Sequence, residues 1–420
     1  MLGGKILVHV RIQVRRAKEQ QRTAFHLLPE GYGHYRKRNT RRNPSVSIAA
    51  LDMKSSVYFI DLRTDAKENL TAKLNRLLDA VSLASVIRPR ELIAVKLHFG
   101  ERGNTAFIRP IFIRDIVQKI IACGGSPFLT DTNTLYRGER CDAVSHQRLA
   151  IEHGFSFAAI GAPIIIADGV RGNTLRRVKI EGRQFSEVYI GAEIVAADVL
   201  ISVAHFKCHE LTGFGGTLKN LGMGCAARQG KLRQHSDVSP KVKRRACKAC
   251  GRCIARCPAE AISFFQEKAK INLERCIGCA ECILICPEGA IQIKWETTTE
   301  DFQKKMIEYV AGVLKGKEGK CLFLNFITDV SPACDCYSHA DRPIVPDIGI
   351  LASRDPVAID QAAADLVNSA QGLEPSALKR NHESGKDKFR DIYPNVDWTI
   401  QLDYAAHMGL GTRLYELVTI

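Results

Sequence analysis

Eight of the chain's fifteen cysteines fall between Cys247 and Cys286, in two segments that repeat at an offset of 29 residues. The first reads CKACGRCIARCPAEAI, from Cys247 to Ile262, and the second CIGCAECILICPEGAI, from Cys276 to Ile291. Both follow C-x2-C-x2-C-x3-C-P. Three thiolates on so tight a loop grip three corners of an iron–sulfur cubane, and the fourth cysteine starts a helix that leads away from them. Structural zinc usually takes paired C-x2-C knuckles instead. A disulfide scaffold belongs to short secreted chains, and this one has 420 residues. Pro258 and Pro287 turn the chain after each fourth cysteine, and ISFF and KINL, around Gln266–Ala269, read as a hairpin joining the halves.

Over about 45 residues the doubled pattern resembles bacterial-type two-[4Fe–4S] ferredoxins. In those proteins the fourth cysteine of each half ligates the other cluster. The resemblance therefore implies one cluster on Cys247, Cys250, Cys253 and Cys286 and a second on Cys276, Cys279, Cys282 and Cys257. It also implies one-electron transfer with a redox partner protein, its identity open. The alternative is a metal- or cofactor-binding or assembly protein in which the clusters are structural.

The formal charge of +15 points at first to nucleic acid. It is unevenly spread: residues 1–52 hold eleven Lys and Arg against three Asp and Glu, which leaves +7 for the rest. Two thiolate-ligated [4Fe–4S]2+ cubanes would remove about four more charges. The total then makes no strong case for a nucleic-acid protein. No run reaches the ~18 apolar residues of a membrane span. No signal peptide is visible, and the expected location is cytoplasmic.

The elements that must position this chemistry follow an α/β pattern. Residues 1–52, with the basic run RKRNTRRN, lack a sufficient apolar stripe and read as a disordered basic extension, the product of a start codon mis-assigned upstream of Met53. VYFIDL (57–62) reads as a strand, and 65–87 as an amphipathic helix capped by Thr64 or Asp65. Further strands are expected at LIAVKL (92–97), PFLT (127–130), PIIIA (163–167), VYI (188–190) and VLISVA (199–204), and helices near 108–122, 145–153 and 191–197. Residues 226–246 read as a polar linker. The pattern resumes after the cysteines with a helix at 302–314, strands CLFLNFI (321–327) and IGILA (348–352), and a helix at 356–370. The fold class expected is α/β, a largely parallel sheet with flanking helices, plus an inserted α+β two-cluster module at 241–295 between parts 53–240 and 296–420.

Function in open α/β sheets collects beyond the strands' carboxyl ends. The loops there are polar: His98 to Asn104, Asp131 to Arg137, His205 to Glu210, Thr328 to His339, and Ser353 to Pro356. Their convergence on one cleft would let His205, Cys208, His209, Cys334, Cys336 and His339 offer a mixed N/S site for zinc, iron or nickel. Lys219, Arg102 and Arg137 would hold an anionic substrate. The glycine-rich stretch Thr212–Gly224 offers backbone amides to an anion, or else a tight packing turn. Cys123, Cys141, Cys225 and Cys321 read as packing residues.

HFGERGN (98–104), HFKCHELTGFGGTLKNLGMG (205–224), CDCYSH (334–339) and PDIGILASRDPVAIDQ (346–361) resemble the uncharacterised Fe–S centre proteins of the domain of unknown function 362 family. The resemblance covers about 54–420 and implies an iron–sulfur protein without assigning a reaction or catalytic residues. A chain beginning at Met53 is expected to be as soluble and as iron-loaded as the full chain. Misfolding of that truncation, read by circular dichroism and iron content, would show the extension to be structural.

Overall fold

Seven strands form the central sheet of the computed structural model, which describes residues 54–236, 240–293 and 297–420. They are β1 (Ser55–Asp61), β2 (Leu92–Lys96), β3 (Ser126–Thr130), β4 (Val199–His205), β5 (Cys321–Ile327), β6 (Gly349–Ser353) and β7 (Tyr415–Thr419). Their order across the sheet is β7-β1-β6-β5-β4-β2-β3. β6 runs antiparallel to both its neighbours, and every other pairing is parallel. The expected extension 1–52 lies outside the described residues.

The alternation of side chains along these strands feeds two cores. In β4, Leu200 faces one and Ile201 and Val203 the other; in β5, Phe323 opposes Leu322 and Leu324 in the same way. Helices Leu70–Ala80 and Pro110–Ala122 cover one face through Leu74, Leu77, Ile113 and Ile116. Helices Thr299–Leu314, Pro356–Ser369 and Thr399–His407 cover the other. Burial on both faces explains why β4 and β5 are largely apolar, with Ser202, His205 and Asn325 as buried exceptions, rather than alternating. β4 and β5 are hydrogen-bonded neighbours, so the sequence on either side of the cysteines shares one sheet.

Several elements differ from the sequence reading. The first helix starts at Leu70, because Asn69 caps it; Asp65 instead accepts from the N–H groups of Lys67 and Glu68 in a turn. PIIIA makes only a bridge from Ile164 to Leu129. VYI lies in Glu187–Gly191, which pairs with Leu175–Lys179 in a separate ribbon. The 226–246 stretch is not all linker: Arg228–His235 is a helix that buries Arg228 and Leu232. β7 carries Pro- and Gly-free but half-exposed residues, YELVT, too short and mixed a run to stand out.

The cysteine segments hold two short ribbons and two short helices. Ile262–Phe265 pairs with Lys268–Ile271, the expected hairpin, with Gln266 and Glu267 both at positive φ as a two-residue turn demands. Lys241–Val242 pairs with Ile291–Gln292 and ties the ends of the segment together.

The glycine-rich stretch is anchored by Asp360. Its buried carboxylate accepts from the N–H groups of Thr217 and Leu218, each at 2.8 Å, and from Asn325 Nδ2 at 2.7 Å. A Cβ at Gly216 would lie 2.4 Å from that carboxylate, which accounts for the glycine. Two of the amides expected to serve an external anion, those of Thr217 and Leu218, are thus already taken by an internal carboxylate. Asp360→Ala is expected to cost about 3–5 kcal/mol, since three donors lose a charged acceptor. Chemical denaturation should show it; a loss under ~1 kcal/mol would mean that water replaces the carboxylate.

Candidate functional site

The parallel strands β2, β3, β4 and β5 point their carboxyl ends the same way, and the loops beyond them meet around a cavity of about 860 Å³. β6 is antiparallel, so the Ser353–Pro356 loop lies at the opposite end, where Asp355 instead binds Ser55 and caps the next helix. Four of the five expected loops converge; the fifth does not.

Two buried carboxylates organise the cavity floor. Asp131, just beyond β3, lies 3.0 Å from Lys96 at the end of β2 and 3.7 Å from Arg140. Burial alone would raise its pKa, but Lys96 and its other neighbours hold it well below the usual carboxylate range. Asp335, in the loop after β5, bonds His205 Nδ1 at 2.8 Å and lies 3.1 Å from Lys207 Nζ. It too is held low against burial, chiefly by His205 and Lys207. Asn220 bridges Lys96 Nζ, the Lys96 carbonyl and Ser202. At Gly224 a Cβ would meet the Asn220 carbonyl at 2.2 Å, so this close approach needs glycine.

The expected ligand residues separate. His205 Nε2 faces the Thr328 carbonyl at 2.9 Å, so neither ring nitrogen is free for a metal. Cys208 is buried in the apolar core, and burial pushes its thiol far up. His339 is exposed and tilts against Tyr337. Cys334 has Cys336, His209 and Lys219 as its neighbours: these hold its thiol well below the usual range, and Lys219 Nζ lies 3.5 Å from its sulfur. Among the described residues no three His, Cys, Asp or Glu side chains are disposed to hold a single metal ion. The six-residue mixed site is therefore not assembled.

The basic candidates also divide. Arg102 lines the cavity's rim, half-exposed, and pairs with Glu152 at 2.6 Å. Arg137 donates to the carbonyls of Leu284, Cys286 and Pro287 and so clasps the cysteine segment. Lys219 faces the cavity, joined by Lys231 from the helix mistaken for linker. Neither lysine is ion-paired to a carboxylate among the described residues; Lys231 bonds Thr132 and the Ala226 carbonyl, and burial draws it down to about 8. Lys96 and Lys231 escaped the sequence reading. A lysine closing an otherwise apolar strand was the available signal for the first.

In the cysteine segments, two small cavities are each lined by four cysteines. Cys247, Cys250, Cys253 and Cys286 line one, and Cys257, Cys276, Cys279 and Cys282 the other. The repeat persists in the backbone: Ala249 and Gly251, then Gly278 and Ala280, all take positive φ. It persists in hydrogen bonds to sulfur, from Ala261 N–H to Cys257 and from Ala290 N–H to Cys286, each 3.2 Å. The second segment packs on the large cavity's wall. Arg171 and Arg228 hold Glu281 at 3.0 and 2.9 Å, and Leu135 and Leu232 pack with Ala280.

The family model described as "Domain of unknown function (DUF362)" matches residues 93–365, which takes in β2 to β6, the cavity loops and both cysteine segments. The chain belongs to the DUF362 family. No curated protein matches it. Among solved structures, this DUF362 chain is similar to the lactate racemase apoprotein from Thermoanaerobacterium thermosaccharolyticum, at 11% identity and a TM-score of 0.35, over 66% of this chain and 51% of that one. It is similar also to a structural-genomics protein from Thermotoga maritima, at 10% identity and a TM-score of 0.34, over 64% of this chain and 51% of that one. The chain thus spans about half the length of these structures. Among the described residues no helix is long and apolar enough to cross a membrane.

His146 gives the site a measurable pH signature. It is fully buried, its Nε2 3.8 Å from Asp131, and burial lowers its pKa to about 3. Unfolding restores a pKa near ~6.5. Between those values the unfolded chain binds the extra proton, so this residue weakens the fold as pH falls, by up to ~1.4 kcal/mol per pH unit. His146→Gln should flatten the stability curve by that slope between pH ~6.5 and about 3. Parallel curves for the two proteins would contradict a buried neutral imidazole.

Proposed function

We propose that this DUF362 protein is an iron–sulfur protein that binds two [4Fe–4S] clusters for electron transfer, its segment 241–295 acting as a ferredoxin-like module inserted into an α/β domain. The supporting observation is the sorting of eight cysteines into two rings, with Cys286 completing the first and Cys257 the second. The N–H groups aimed at Cys247, Cys257 and Cys286 suit bound thiolates, whose charge they would disperse. Bound clusters supply one-electron transfer.

The chain's own residues support a redox role joined to the cleft. Arg137 links the carbonyls of Leu284, Cys286 and Pro287 to the cavity wall, and the adjacent Tyr136 bonds the Cys336 carbonyl at 3.1 Å. Lys219 and Lys231 suit the cavity to a small anionic molecule. On the module's outer side Phe264, Phe265 and Leu273 are exposed and offer an apolar surface to a redox partner protein.

A structural contribution accompanies this role. The module's core consists largely of Cys247, Cys253 and Cys286 with Ile262 and Ile291, so little else holds it together. Anaerobically prepared protein should contain about eight irons, and Cys257→Ala about four to five, with loss of one of two reducible species. Iron analysis and spectroelectrochemistry make the measurement. Clusters that resist reduction across roughly −700 to +450 mV would leave only the structural role.

A further inference from the structure

We propose that Cys334 and Cys336 form a redox-active dithiol that undergoes thiol–disulfide exchange with a small anionic thiol admitted to the large cavity. The proposal rests on the cleft as an anion site and not on the clusters.

The two sulfurs flank Asp335 in a turn closed by the Tyr337 N–H on the Cys334 carbonyl at 3.0 Å. The turn is fixed on every side. Asp335 is held by His205 and Lys207, its carbonyl accepts from the Glu101 N–H at 3.0 Å, and the Cys336 carbonyl accepts from Tyr136. So restrained, Cys334 and Cys336 are held with one residue between them in the same fixed turn, both as free thiols.

Their environments differ as exchange chemistry requires. Cys334 is buried with Lys219 Nζ 3.5 Å from its sulfur, and its neighbours Cys336, Lys219 and His209 hold it well below the ordinary thiol range. Cys336 is half-buried and lines the cavity, and its neighbour Cys334 pushes it up. In the oxidised pair, an entering thiolate RS⁻ attacks the accessible Cys336 sulfur. The Cys334–Cys336 bond breaks and Cys334 leaves as the thiolate, stabilised by Lys219; the better-stabilised thiolate is the faster leaving group. A second RS⁻ attacks the R sulfur of the mixed disulfide and releases RSSR, and Cys336 takes up a proton. The balance is one protein disulfide and two RSH giving one protein dithiol and one RSSR, and it runs in either direction.

The cavity selects the partner. Its volume of about 860 Å³ suits a small molecule. Lys219 and Lys231 attract anionic groups, while Leu135, Leu211, Met223 and Phe302 supply an apolar wall. A carboxylate-bearing thiol fits this lining better than a cationic one.

The test uses the full chain, prepared anaerobically and equilibrated with reduced and oxidised glutathione at graded ratios. Acid quenching, alkylation and mass spectrometry then read the peptide that carries both cysteines. A Cys334–Cys336 disulfide should appear at the oxidising end and give way to two alkylated cysteines at the reducing end. Lys219→Met should require at least tenfold more reducing conditions at the midpoint, equivalent to about 30 mV. Cationic cysteamine and cystamine should equilibrate the pair at least tenfold more slowly than glutathione does. Two cysteines alkylated at every ratio, or a lasting glutathione adduct on Cys336 alone, would overturn the pair. Equal rates with the cationic couple would overturn the anionic partner. Iron is counted in the same samples: a normal disulfide titration without iron would sink the cluster reading and leave this one standing.

Discussion

Parallel pairing of β5 with β4, from Cys321 opposite Leu200 to Phe326 opposite His205, fixes where the other parts of the molecule lie. The 115 residues between these strands must leave and return on the same layer. Parallel direction sends the chain beyond His205 and the chain beyond Ile327 out at one end, so the His209 and Cys334 loops have to meet. The hydrogen-bonded row is buried on both faces, where a lost pairing would leave polar backbone groups without water. The glycine-rich turn, the Arg228–His235 helix and the cysteine segments are packed into the excursion that this pairing closes.

Buried charge is the second constraint. Lys96, Lys207, Arg140, Asp131, Asp335 and Glu101 sit in one water-poor region, where an isolated ion costs several kcal/mol. They are tolerable because Lys96 and Arg140 share Asp131, Arg140 reaches Glu101, and Lys207 meets Asp335. Lys219, 3.5 Å from the Cys334 sulfur, and Lys231 also line the cavity, without a carboxylate ion pair among the described residues. The module borders it through Arg137 and Leu135, which touch the second cysteine segment on one side and line the cavity on the other.

Much of this arrangement is legible in the sequence, for identifiable reasons. Strands buried on both faces, such as VLISVA and CLFLNFI, are apolar runs broken only by Ser202 and Asn325, and the polar loops after four parallel strands converge because such strands share an end. The antiparallel turn of β6 was not legible, since IGILA reads the same in either direction, and it misplaced the Ser353–Pro356 loop. The glycine-rich stretch showed its free amides but not Asp360, which lies over 140 residues away and claims them. His205 and Cys208 carried metal-ligand chemistry by type, but their side chains were taken by Asp335 and the apolar core. Basic composition hid the helix Arg228–His235, whose polar side chains are buried by tertiary contacts such as Arg228 with Glu281.

We propose above that the eight cysteines between Cys247 and Cys286 hold two iron–sulfur clusters in crossed quartets beside the cleft. Anomalous diffraction at the iron edge, from crystals grown without oxygen, tests it most directly. Two iron peaks are predicted, one inside the ring of Cys247, Cys250, Cys253 and Cys286 and one inside that of Cys257, Cys276, Cys279 and Cys282. A fully loaded protein with no iron in either ring, or with Cys257 ligating the cluster of Cys247, Cys250 and Cys253, would contradict it.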